Sequence, residues 1–129
     1  PDAVVVEKRE VDGHYQRKLK GAKEDFLSTA MFHKTGGYYF IPLRSLYSRN
    51  ISNLMMAGRC FSCTHVGLCG PRVMNTCGQM GIATGYAAVL CNKHNVIPKE
   101  VAKSHIKELR ELIGFDRLKL VNNPSKGGH

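Results

Sequence analysis

Residues 41–88 read IPLRSLYSRNISNLMMAGRCFSCTHVGLCGPRVMNTCGQMGIATGYAA, and their order sets the expected fold. A short apolar run, Leu54 to Ala57, ends in Gly58-Arg59. A loop rich in Cys and Gly follows, and a helix is expected to open at Gly70-Pro71-Arg72. Strand, loop and helix N-terminus in that order form a device for holding an anionic or electron-rich group. The first helical turn leaves backbone N–H groups without partners and carries partial positive charge.

The expected helix runs from Pro71 to about Asn92. Pro71 suits its first turn, where the missing N–H costs nothing, and Gly70 is available as a cap. Gly78, Gly81 and Gly85 recur at spacings of three and four, so they share one face. Each weakens a helix by about 1 kcal/mol relative to Ala. Three together are expected to permit close approach of another backbone or a ligand.

Outward from this unit, Asp2 to Val6 reads as a buried strand because of its β-branched run. The polar, basic segment Glu7 to Lys23 is strand-like only near Val11, and Phe26 to Phe32 fits either strand or helix. Gly36-Gly37 signals a turn before a strand, Tyr38 to Ile41, that Pro42 ends. A second helix is expected from Pro98 to Ile113, with Val101, His105, Ile106, Leu109, Leu112 and Ile113 as its apolar stripe and Gly114 as its stop. The fold class is therefore α/β, or α+β for the segment standing alone.

The chain has 129 residues, enough for one domain or part of one, and 43% of them are hydrophobic. It contains no run of about 18 apolar residues, so no membrane span is expected. The start at Pro1-Asp2 and the tag-like tail from Pro124 to His129 lead to the expectation of a fragment of a longer product. With a net charge of +9, the chain has basic residues scattered over two stretches, Lys8 to Lys23 and Lys99 to Lys119, and no nucleic-acid-binding motif beside them. Solvated faces are the expectation, and a nucleic-acid partner is not. Five cysteines cannot all pair within one chain, which favours a reducing, cytoplasmic setting. Cys77 and Cys91 fall on the expected helix as small buried side chains.

Three segments carry a family resemblance: I-P-x-R-S-L-Y from Ile41, N-x-x-N-L-M-M-A-G-R-C from Asn50, and the run from Thr64 to Ala88. Together they resemble the C-terminal part of a family of FAD-dependent oxidoreductases related to the glutathione-reductase-like flavoproteins. Val11-Asp12-Gly13-His14 resembles the D-x-H segment of that family. The resemblance implies the final strand and following helix of a Rossmann-like FAD domain (residues 54–114). Strands from the substrate-side sheet (residues 1–53) would precede it and a tail (115–129) would follow. The family's nucleotide-binding G-x-G-x-x-G turn does not occur in the chain. The isolated chain is therefore expected to lack the hold on the adenine half of FAD.

Carried over by position, the resemblance implies that Gly58 and Arg59 pass near the ribityl and pyrophosphate groups. Arg72, Val73, Met74 and Asn75 would open the helix toward the pyrimidine edge of the flavin. Thr64 and His65 would lie near its reactive face. His65 is the catalytic candidate, since an imidazole can move a proton near neutral pH. His14 and Arg44 are candidates for binding a small-molecule substrate, Arg44 being equally suited to a structural ion pair. Cys60-Phe61-Ser62-Cys63, with His65 and Cys69 behind it, admits three readings: a packed loop, a redox dithiol, or a tightly wrapped metal cluster. The packed loop is preferred and no metal is assigned. His33, His94 and His105 read as surface or helix residues. Self-association through unpaired strand edges is a further expectation.

Overall fold

The computed structural model describes residues 1–16, 28–34 and 36–117. Arg17, Lys18, Lys20 and Lys23 of the first basic stretch, the start of the Phe26–Phe32 segment, and the tail beyond Arg117 lie outside the described residues.

The centre is one strand and one helix. Strand β1 (Ala3–Glu7) carries Val4, Val5 and Val6, all buried. It pairs antiparallel with β4 (Tyr39–Pro42), Val5 opposite Ile41 and Val6 opposite Phe40, with an irregularity between Ala3 and Val5. Helix α2 (Met74–His94) buries Thr76, Met80, Ala83, Ala87 and Leu90. Those positions alternate steps of four and three, the spacing that keeps one stripe of a helix against a core. Met80, Ala83, Ala87 and Leu90 of the stripe, Val4 and Val5 of β1, and Ile41, Leu43, Leu46 and Phe61 form one core, completed by Val101 and Leu109.

Two short helices replace the single one expected after Pro98. They are α3 (Pro98–Ser104) and α4 (Ile106–Leu112), interrupted at His105, whose φ of −117° and ψ of 15° leave the helical region. Val101 and Leu109 point inward from them, whereas Leu112, expected in the apolar stripe, is exposed. Gly114, at φ 65°, ends α4 as its position in the sequence implied. Arg110 then reaches back to β1, its Nε donating to the Ala3 carbonyl at 2.9 Å and its Nη2 to the Pro1 carbonyl at 2.7 Å. A second two-stranded sheet pairs β2 (Val11–Gln16) with β3 (Ser28–His33), Asp12 opposite Phe32 and His14 opposite Ala30. The ambiguous apolar segment therefore resolves as a strand.

Three further expectations change. The run Leu54 to Ala57 is not a sheet strand; it makes an isolated bridge, Met55 to Tyr47, and the Met56 N–H donates to the Leu46 carbonyl at 2.8 Å. Among the described residues it has no parallel neighbour to pair with. Cys77 and Cys91 are only half-buried, and the buried cysteine is Cys69. The glycine face of α2 meets nothing: a Cβ at Gly78, Gly81 or Gly85 would have open space within 4 Å. Ile82, Tyr86 and Val89 flank that face at 55%, 40% and 57% exposure. No helix of the described residues is long and apolar enough to cross a membrane.

The two faces of α2 therefore respond oppositely to substitution. Leu90→Ala is expected to cost about 2–5 kcal/mol, the loss from truncating a fully buried leucine. Gly81→Ala is expected to stabilise the chain by about 0.5–1 kcal/mol, through helix propensity alone. Denaturant melts of the two variants check both, and a destabilising Gly81→Ala would mean that the face is packed.

Candidate functional site

The loop between the 3-10 turn Gly58–Cys60 and the body of α2 serves three adjoining cavities. The turn itself requires glycine: Gly58 sits at φ 69°, and its nearest neighbour for an added Cβ is Cys77 Cβ at 3.8 Å, so backbone conformation rather than space excludes a side chain. The loop continues through α1 (His65–Leu68), one helical turn capped by Thr64, whose Oγ1 accepts from the Gly67 N–H at 3.1 Å. Residues 69–72 then turn, and Val73, in extended conformation, is the N-cap of α2.

Helix α2 thus begins three residues later than Pro71. Arg72 lies outside it, directly before the N-cap Val73. Its guanidinium is held by the hairpin: Nη2 donates to Asp12 Oδ2 at 3.0 Å, and Nε donates to the Cys69 carbonyl at 3.4 Å. Asp12 also faces His14, whose Nε2 is 3.0 Å from Oδ1. That approach is an ion-pair distance without hydrogen-bond alignment, and Oδ1 is buried with no hydrogen-bond partner. Arg9 stands 3.9 Å from the same carboxylate. Asp12, His14, His65, Leu68, Cys69 and Arg72 enclose a pocket of about 160 Å³. Two imidazoles 51 positions apart in the chain, one predicted for catalysis and one for substrate, therefore share a wall with a carboxylate and a guanidinium.

The second cavity lies at the N-terminus of α2. Val73, Met74, Asn75 and Thr76 line a cleft of about 950 Å³ with Glu7 to Glu10 and Phe32. Met74 is 90% exposed, extreme for an apolar side chain in a first helical turn. Glu7 already occupies part of this end: its Oε1 accepts the Lys8 and Arg9 N–H groups, each at 2.8 Å, and its Oε2 accepts the Thr76 hydroxyl. The third cavity, about 530 Å³ and mostly apolar, is walled by Tyr38 to Pro42, Phe61 to Thr64, Gly70 and Pro71. Tyr39 fills the gap above Gly70, where any Cβ would run into its hydroxyl. That hydroxyl is buried without a hydrogen-bond partner. Burial, reinforced by the Glu7 carboxylate, pushes the phenol up to about 12, and the Arg9 guanidinium offsets part of this rise.

The remaining predicted residues lie at the margins. Arg59 Nε donates to the Arg72 carbonyl at 3.3 Å, bracing the loop. Arg44 is in a separate cleft of about 420 Å³ with Arg49 and Lys99, and its guanidinium pairs with the buried Asp2. The Arg44 N–H also donates to Asp2 Oδ2 at 3.0 Å, so the ion-pair alternative is realised whatever else that side chain binds. Cys60, Cys63 and Cys69 are free thiols, and they form no group with His65 close enough to share a metal ion. Burial and the neighbouring Cys69 push the Cys63 thiol up, against thiolate chemistry at that position. Sequence reasoning missed Asp12 as a hub, although it stands in the D-x-H segment, and gave no sign of Tyr39 or Glu7.

The cavities fit part of a flavin. The first turn of α2 lines an open cleft, suited to the electron-rich edge of its ring, and the chain has no G-x-G-x-x-G turn to hold the adenine half. A family model described as FAD dependent oxidoreductase matches residues 1–113. No curated protein and no solved structure matches the chain.

Gly58→Ala is expected to destabilise the chain by about 1–2 kcal/mol, the cost of forcing a side chain into the left-handed region, measured by denaturant melts. Tyr39 predicts an alkaline limit. Its folded pKa lies above the unfolded value of 10.0, so its contribution to stability is complete below pH 10 and is lost as the pH rises toward 12. Tyr39→Phe is expected to remove that part of the alkaline loss and, by deleting an unpartnered hydroxyl, to cost little at neutral pH. Melting temperature followed between pH 8 and 12 checks both.

Proposed function

From its membership of the FAD-dependent oxidoreductase family, to which the chain belongs over residues 1–113, we propose that it supplies the flavin-facing C-terminal portion of such an enzyme. In this reading the chain resembles the corresponding part of the glutathione-reductase-like flavoproteins. The complete protein passes a hydride from a small organic substrate to FAD. The observation that carries the proposal is the N-terminus of α2, open over a cleft next to the Asp12–His14–His65–Arg72 pocket.

FAD, when bound, supplies the hydride-accepting chemistry. The amides of Met74, Asn75 and Thr76 would help hold it, offering fixed dipoles of the oxyanion-hole kind that favour negative charge. Gly58 lets the backbone turn sharply, and Arg59 braces the loop through the Arg72 carbonyl. Arg72 acts at one remove: by holding Asp12 it sets the hairpin, and with it His14, against α1. His65 accepts or returns a proton at its imidazole as the substrate is oxidised. The apolar cavity beside Phe61 and Tyr39 is the space for the substrate's body; Arg44, in a separate cleft with Arg49 and Lys99 and paired with Asp2, would meet only an anionic group reaching that cleft.

Three measurements test this. The purified 129-residue chain is expected to carry no stoichiometric FAD absorbance; a 1:1 spectrum would overturn the assignment of the nucleotide half to residues elsewhere. Lumiflavin, the ring without its nucleotide, is expected to bind weakly. Asn75→Asp, placing a carboxylate in the first turn, is expected to weaken it about threefold or more. Equal binding by both chains would sink the role given to α2. In the complete enzyme, His65→Ala is expected to lower kcat by about 100-fold or more.

A further inference from the structure

At the far end of α2, about 30 Å along the helix from its first turn, three metal-ligand side chains converge that no part of the flavin reading uses. His94 is the last residue of α2, His105 interrupts the α3–α4 segment, and Glu108 follows one turn into α4. One ligand atom from each lies within 4.8 Å of the others, and among the described residues this is the one such group. His94 Nε2 is 2.8 Å from Glu108 Oε2, and His105 Nδ1 is 4.0 Å from that same oxygen. The two imidazoles stack, centroids 4.0 Å apart and planes 13° from parallel.

We propose that His94, His105 and Glu108 bind a divalent transition metal of the zinc class. Two imidazoles and one carboxylate are a borderline donor set, which selects zinc, cobalt or nickel over calcium or magnesium. Metal–ligand bonds of about 2.0–2.2 Å place tetrahedral ligand atoms roughly 3.3 Å apart. The 2.8 Å contact must open and the 4.0 Å contact must close, each by well under an ångström. The rings tilt out of their stack so that each lone pair meets the ion. All three side chains are half-buried, with 26–31% of their surface exposed, so solvent reaches the fourth position. The C-terminal end of α2 adds a favourable partial negative charge.

Lys93 opposes the ion. Its Nζ donates to Glu108 Oε1 at 2.7 Å, and that ammonium must stay on the outer oxygen or leave. Its side chain is 61% exposed, so leaving for water is easy. The bound ion would join the end of α2 to the α3–α4 junction, replacing the His94–Glu108 hydrogen bond with two bonds from a common centre.

Cobalt titration of the purified full chain tests the site. One equivalent is expected to bind with visible bands of a four-coordinate ion and no thiolate-to-cobalt charge-transfer band, and zinc is expected to displace it. His94→Asn and Glu108→Gln are each expected to weaken binding about tenfold or more. Cys60→Ser with Cys63→Ser leaves it unchanged. Lys93→Gln, a surface change that leaves every ligand in place, is expected to tighten it about two- to fivefold. Absence of saturable binding in both the native chain and Lys93→Gln would overturn the proposal. So would a thiolate band lost in the double cysteine variant, or undiminished binding in Glu108→Gln.

Discussion

Everything described here depends on one contact, the stripe Met80, Ala83, Ala87 and Leu90 of α2 lying against the valines of β1. Small residues at Ala83 and Ala87 let the helix approach the strand closely, and Met80 and Leu90 fill the space on either side. The contact fixes both ends of a 21-residue rod relative to the sheet. It aims the N-terminus at the cleft beside Glu7 and delivers His94 to the α3–α4 junction. A methylene lost from this stripe is felt at both ends, because a packed core transmits displacement rather than absorbing it.

The site is assembled on that rod from chain segments that share no secondary structure. His65 comes from one helical turn, His14 and Asp12 from a hairpin, and the amides from α2. Arg72 joins them, since a single guanidinium reaches the Cys69 carbonyl of its own loop and the Asp12 carboxylate of the hairpin. A planar, permanently charged fork suits this task, and Lys, with one point of charge, would not span both partners.

The sequence made legible those features that depend on local pattern. The Val4–Val6 run is a buried strand, Pro42 ends the strand containing Ile41, and Gly114 stops the last helix. Family membership was legible in the three segments beginning at Ile41, Asn50 and Thr64, and the family model matches residues 1–113. What failed was set by partners far away in the chain. The start of α2 moved from Pro71 to Met74 because the turn at 69–72 is tied across the fold to Asp12. Leu54 to Ala57 has strand composition, but a strand exists only with a neighbour to pair with. The stripe Pro98 to Ile113 has helical period throughout, and the break at His105 coincides with its stacking on His94, which no periodicity encodes. In the site, a histidine within a recognisable motif could be singled out, but the buried, unpartnered oxygens of Asp12 and Tyr39 belong to three-dimensional packing alone.

Among the described residues the β2–β3 pair is joined to no other strand, and it leaves Phe32 61% exposed. Such a unit has little hydrophobic stake in the core, so its opening is a local event governed by a few polar ties rather than by global unfolding. Asp12 and His14 ride on it, whereas His65 stands on α1 and the amides on α2, which packs against the core. The walls of the pocket therefore come from separate elements joined by the Asp12–Arg72 ion pair. Hydrogen exchange at β2, compared with that at α2, is the measurement that reads how firmly this one tie holds the site together.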